Sequence, residues 1–249
     1  MMMVKKVFSD IGVSARELWR RWAMTASFVG LYALLVASIY FFAALGQASV
    51  WQVLLTLLLF LAAPVLFFVL HRMVLSFDRS EASPHELLRH SLKDFWRLVV
   101  VTAPPVIAAL LIGYLLSKLQ THLPYSWQLL QRTSMIFSTL RLLLFGLALP
   151  LALVHLWLVS LSGGFIDTFK GTKKILAQAF APQSVMIYLL GTPIFALVPY
   201  ILIITKTPAQ KASTEIALFA GRIVLALLFV LLGWLVTVGA LKRSAASEA

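Results

Sequence analysis

The stretch His85-Glu86-Leu87-Leu88-Arg89-His90 comes nearest to spelling a reaction. A metalloprotease helix places two histidines four residues apart on one face, with a glutamate between them as base. Here the histidines are five apart, so an α-helix turns their rings about 140° from one another, and they do not share one zinc. A solvated helix face, with Glu86–His90 and His85–Arg89 pairs at i,i+4, is the expected arrangement. His155 stands alone in an apolar run with no carboxylate in that run. A helix–helix hydrogen bond or a headgroup contact explains it more simply than a proton relay. Arg141 and Arg222 each lie one to two turns inside an apolar run. They either snorkel to the interface or form a shared basic site for a lipid phosphate or another anion. Glu215, two turns before Arg222, could pair with either arginine.

The remaining reactive groups are missing. No Asp falls inside an apolar run, no Gly-x-Ser-x-Gly elbow occurs, and Ser162-Gly163-Gly164 reads as a helix end. No phosphate-binding glycine loop is present. The chain has no Cys, which excludes disulfides, thiolate nucleophiles and Cys-ligated metal. No enzymatic activity, cofactor or metal is therefore expected.

The elements that carry these residues are membrane helices. Of the 249 residues, 61% are hydrophobic and 12% charged, against about 45–50% and about 25% in soluble domains. A domain of this size cannot hide that much apolar surface. Six runs, at about 23–45, 50–71, 98–117, 135–160, 184–205 and 215–240, suit helical spans of roughly 20 residues. They are too long and too uniformly apolar for barrel strands. The expected fold is an all-α polytopic membrane protein, one integral domain over 1–249. The net charge of +12 would suggest nucleic acid in a soluble protein; here the sign of each loop matters more, and no nucleic-acid partner is expected.

Placing the N-terminus in the cytoplasm puts fifteen of the 21 Lys and Arg on that side and four, Lys118, Arg132, Lys206 and Lys211, opposite. The positive-inside rule then predicts cytoplasmic N- and C-termini. Gly46-Gln47-Ala48 could pass as a cleavage site, but the preceding apolar run is too long for a signal peptide.

Three segments on the basic side, about 4–22, 84–97 and 165–181, read as amphipathic interfacial helices. Val4, Val7, Phe8, Ile11, Ala15, Leu18, Trp19 and Trp22 form the first stripe. Leu88, Leu92, Phe95 and Val99 form the second, and Phe165, Phe169, Thr172, Leu176 and Phe180 the third. Such helices lie in the headgroup layer, with Arg20, Arg21, Lys93, Arg97, Lys173 and Lys174 for anionic lipid and Trp19, Trp22 and Trp96 as interfacial aromatics. Ser14-Ala15-Arg16-Glu17 and Ser83-Pro84-His85-Glu86 both spell capping boxes. Four matches in eight between 14–21 and 83–90 fit a threefold repeat of one interfacial helix and two spans. They fit equally the shared chemistry of any N-capped basic helix. Pro64, Pro104, Pro105, Pro150, Pro193 and Pro199 fall in spans. The pairs in the third and fifth spans are the expected kinks, of the sort that line transporter sites.

Glu17-Leu18-Trp19-Arg20 and Asp94-Phe95-Trp96-Arg97, each leading into paired spans, resemble the membrane domain of bacterial glycerophosphodiester phosphodiesterases and related six-span families of unknown function. The resemblance implies a module of the bacterial inner membrane. That family's chemistry resides in a separate soluble domain with no counterpart in these residues, so no active site transfers. The expected partners are the lipid bilayer, anionic phospholipids and a membrane protein. The expected role is a scaffold, assembly factor or regulatory subunit. The alternative is a transporter or lipid-translocating protein using spans 3 and 5 with Arg141 and Arg222.

Overall fold

The computed structural model of the chain describes residues 2–46, 49–77, 83–123, 131–163, 168, 170–205 and 212–246. Among them every regular element is helical. The helices are α1 (Met2–Arg20), α2 (Trp22–Ala44), α3 (Val50–Ser76), α4 (Pro84–His122), α5 (Gln131–Leu143), α6 (Leu149–Gly163), α7 (Thr172–Ala179), α8 (Pro182–Thr192), α9 (Val198–Ile204) and α10 (Ala212–Ala246). A π-helical turn, Leu144–Ala148, joins α5 to α6, and another, Pro193–Leu197, joins α8 to α9. Among the described residues six helices are long and apolar enough to cross a membrane: Trp22–Ala44, Val50–Ser76, Pro84–His122, Thr133–Leu161, Pro182–Ile204 and Ser213–Ala246. The chain is an all-α, multi-pass integral membrane protein.

Local chemistry sets the boundaries. The Ser49 hydroxyl accepts from the Gln52 amide at 3.3 Å and starts α3. At α4 the expected capping box is complete: Glu86 N–H donates to Ser83 Oγ at 3.3 Å, and Ser83 N–H to Glu86 Oε2 at 3.1 Å. Ser14 does not repeat this role. It lies in the middle of α1, buried, and its hydroxyl donates to the Asp10 carbonyl at 2.8 Å. Nor does Glu17 cap; it pairs with Arg243 at the end of α10.

The joint between interfacial helix and span also differs from expectation. At Arg21 the helix breaks, with φ −106° and ψ 52°. The Thr25 hydroxyl crosses the break to the Leu18 carbonyl at 2.8 Å and satisfies one of the acceptors left at the end of α1. At Arg97 nothing breaks: the segments expected at 84–97 and 98–117 are one helix of 39 residues. The third expected helix, 165–181, is represented by α7, Thr172–Ala179. Phe165 and Phe169 of its stripe lie outside the described residues, as do Gln47 and Ala48, Arg79, and Lys206 and Lys211.

The chain divides into two compact units, residues 1–96 with 186–248 and residues 97–185. In the first, α10 is the central element. It packs against α1, α2, α3 and α9 and buries Leu231, Leu235, Val238 and Leu241. Small residues permit the approach. A Cβ on Gly191 would collide with the Thr237 side chain, and one on Gly239 would come within 3.1 Å of Ser14 Oγ. One on Gly233 would meet the backbone nitrogen of Phe195, in the second π turn, at 3.0 Å. In the second unit the bulky side chains bridge. The Trp157 indole donates to Thr102 Oγ1 at 2.7 Å, and the Phe145 ring reaches Gly113.

The close contacts of α10 set an expected outcome. Gly191→Val overpacks the contact with Thr237 and costs about 1–3 kcal/mol. Gly30→Ala, into open space, costs nothing measurable. Thermal unfolding of the full chain in detergent separates the two; equal midpoints would refute the close contact.

Candidate functional site

The two arginines singled out from the sequence fall in different compact units. Arg141 donates to Gln120 Oε1 at 2.8 Å and to Ser117 Oγ at 3.2 Å, both on α4. A neutral amide and a hydroxyl hold the guanidinium, and no carboxylate among the described residues pairs with it. Arg222, on α10, donates through Nε to the Leu218 carbonyl at 3.4 Å and lies 5.9 Å from the Phe219 ring centroid. Its Nη1 is buried and has no hydrogen-bond partner among the described residues. The side chain borders a pocket of about 540 Å3 formed by the end of α9 and the start of α10, with Thr205 and Glu215 on its wall. Glu215 shares this pocket with Arg222, yet no ion pair joins the two among the described residues. A buried donor left unmade costs about 1–3 kcal/mol, and an oxyanion in the pocket would satisfy it.

His155 is resolved in favour of the helix–helix tie. It is buried, its Nδ1–H donates to the Leu151 carbonyl at 2.9 Å, and its Nε2 accepts from the Ser184 hydroxyl at 3.3 Å. A serine hydroxyl on an imidazole is the geometry of a nucleophile and its base. Both groups are fully enclosed, however, and neither lines the pocket beside Arg222 or the apolar groove on α4 described below.

A second buried histidine escaped the sequence reading. His71 ends the second apolar run beside Arg72, where a polar residue passes for a boundary. It is instead enclosed, with Nδ1–H donating to the Phe67 carbonyl at 2.8 Å and Nε2 accepting from the Trp234 indole at 3.1 Å. Carbonyl and indole leave room for one ring proton, on Nδ1, so the imidazole is neutral. Trp234 in turn stacks edgewise on Phe195 and Tyr188, with centroids 5.6 and 6.5 Å away. The missed signal was a His and a Trp both at membrane depth, where each polar nitrogen requires a partner.

The basic and aromatic interfacial residues divide into two kinds. Arg20, Lys93, Arg97, Lys173 and Lys174 are exposed, as are Trp19, Trp22 and Trp96. Arg21 turns inward: it donates to the Phe77 carbonyl at 2.9 Å and covers the Phe77 ring. It closes the end of α3, where a cation meets the negative pole of the helix. Arg72, beside His71, faces Asp94 of α4 at 3.8 Å.

The prolines also divide. Pro64, Pro104 and Pro105 sit inside unbroken α-helix. Pro150 and Pro199 each follow a π turn by two residues. The Leu149 amide reaches the Leu144 carbonyl, and the Val198 amide that of Pro193. A proline ring clashes with the turn before it, and widening that turn to i→i+5 removes the clash.

The His71–Trp234 bond yields a measurable coupling. A double-mutant cycle of Trp234→Phe and His71→Leu, read by unfolding in detergent, is expected to give about 0.6–1.7 kcal/mol, the range for polar pairs between membrane helices. Additive losses would show the pair contributes nothing as a pair. Comparison of the chain with protein-family models, curated proteins and solved structures found no match.

Proposed function

We propose that the chain is a non-enzymatic module of a bacterial inner membrane, with cytoplasmic N- and C-termini. It binds anionic phospholipid through its basic helices and scaffolds or regulates a membrane-protein partner. The observation that carries this reading is the division of α1 into three faces. Val7, Ser14 and Leu18 share one direction and are buried against the protein. About 60–120° around the helix lie Val4, Phe8 and Trp19, exposed by 42%, 59% and 88%. Beyond them, at about 160–260°, come Lys5, Arg16, Arg20 and Lys6, all exposed. Protein, hydrocarbon and water each have a matching face, which is the requirement for a helix lying in the headgroup layer. The same motifs support the resemblance to the membrane domains of glycerophosphodiester phosphodiesterases.

A second reading, transport or lipid translocation, is favoured by the π turns before Pro150 and Pro199 and by the unpartnered Arg222 Nη1 beside its pocket. π turns concentrate at functional sites. Under this reading Arg222→Gln slows passage of a headgroup-labelled anionic lipid across proteoliposomes, and Arg141→Gln does so less.

Three outcomes test the first reading. A cysteine at Ser49 is labelled from outside intact cells and one at Ser83 is not; the reverse would invert the topology. Gln at Lys5, Lys6, Arg16 and Arg20 lowers the enrichment of phosphatidylglycerol around the chain in mixed nanodiscs, since each cation near an anionic surface is worth about 1 kcal/mol. Unchanged enrichment would remove α1 as the lipid-binding element. Native mass spectrometry of chain extracted from its own membrane shows a stoichiometric protein partner. A lipid alone, with Arg222→Gln blocking translocation, would establish the second reading.

A further inference from the structure

Within the unit formed by residues 97–185, an apolar groove of about 380 Å3 runs between α4 and the α5–α6 helix, and α7 closes one end. Its existence follows from side-chain size. Pro104, Pro105 and Ala108 on α4 face Ala148 and Ala152 on the opposite helix, too short to meet across the gap. The volume is about a dozen times the roughly 30 Å3 of a water molecule. Water nonetheless finds few partners there. Among the described lining residues only Thr172 and Thr168 carry a polar side chain, and the Thr172 hydroxyl donates to the Thr168 carbonyl at 3.0 Å. A buried water needs two to four polar partners, so the groove suits hydrocarbon.

Its length and its ends narrow the choice. From Val101 to Ile112 the α4 wall rises about 16 Å, close to half of a hydrocarbon core about 30 Å thick. That is the depth of one leaflet. Arg97 lies one turn before Val101 on the same face of α4 and is exposed. Lys173, also exposed, follows the lining residue Thr172 on α7. The groove is thus apolar over about the depth of one leaflet, with an exposed cation within one turn of a lining residue on both α4 and α7.

We propose that this groove seats one acyl chain of an anionic phospholipid, with Arg97 and Lys173 taking its phosphate. The proposal rests on the anionic-lipid reading above and narrows it to one site in one leaflet. It assigns a structural role to Pro104 and Pro105, which keep the wall of α4 flat without breaking the helix.

The experiment is native mass spectrometry of the full chain released from nanodiscs of phosphatidylglycerol and phosphatidylcholine. One phospholipid is expected to survive activation that strips the others. Ala108→Trp fills the groove and removes that lipid. Leu111→Trp, at an exposed position off the groove, does not. Arg97→Gln with Lys173→Gln keeps a lipid but loses about tenfold or more of the preference for phosphatidylglycerol, since each cation is worth a factor of about five. If Ala108→Trp fails to fold, a benzophenone side chain at Ile112 is expected to crosslink to phospholipid, and a crosslink only from position 111 overturns the proposal. Retention of the lipid in Ala108→Trp overturns it. So does a dimer mass that Ala108→Trp converts to monomer, which would give the groove to a second copy of the chain. The α1 variant with four Gln keeps the retained lipid. If that variant loses phosphatidylglycerol enrichment while Ala108→Trp changes nothing, the groove is refuted and the headgroup-layer reading stands. If neither moves, both are refuted.

Discussion

Hydrocarbon offers the backbone no hydrogen-bond partner, so each spanning segment has to satisfy its own amides and carbonyls. The whole structure follows from that constraint. It makes the six apolar runs helical irrespective of propensity, including runs rich in Phe, Val and Ile that would favour strands in water. It also decides what happens at proline. Pro150 and Pro199 each remove a donor, and the ladder answers by lengthening: the amides of Leu149 and Val198 reach back five residues. Pro64, Pro104 and Pro105 are accommodated in ordinary α-helix. Sequence alone does not separate these cases. The second π turn packs where Gly233 lets its backbone come close, so a tertiary contact, as well as the proline, selects the wider turn there.

The same division between local and tertiary causes explains what was legible. Spans were readable because twenty consecutive apolar residues have few alternatives, and the start of α4 was readable because Ser83, Pro84 and Glu86 act on their own neighbours. The joints were not. No glycine or proline marks Arg21, where the helix breaks, and nothing in the composition distinguishes it from Arg97, where it continues. At Arg21 the side chain closes the C-terminal end of α3 at Phe77, 56 residues away. Ser14-Ala15-Arg16-Glu17 has the letters of a capping box, but Glu17 is taken by Arg243 and Ser14 fits against Gly239. Both competitors come from α10, more than 200 residues along the chain. The four-residue match that suggested a repeat therefore joins two segments whose corresponding serines do different work.

Polar groups within the spans were only half legible, for a related reason. Arg141, His155 and Arg222 stand out because they interrupt apolar runs; His71 does not, because it stands at the end of one. Their fates then depend on neighbours the sequence cannot locate. The two histidines reach one solution: Nδ1 to the carbonyl one turn back, Nε2 to a donor on another helix. An imidazole bonded at both nitrogens is no longer a liability in hydrocarbon and fixes the register of two helices. Arg141 finds a hydroxyl and an amide. Arg222 is the exception, with one nitrogen buried and unmet among the described residues.

That exception and the groove beside Pro104 and Pro105 point to the same economy. A membrane protein does not have to fill every gap with its own side chains, because lipid is present at the concentration of a solvent. A gap as long as a leaflet is deep, apolar along its wall and with exposed cations within a turn of its lining, matches a phospholipid in both shape and charge. A void of that size in a water-soluble core would be a packing defect costing several kcal/mol. Under the proposal above, the solvent itself is the complement. The alanines that open the groove are then as much a part of the fold as the leucines that close the core around α10.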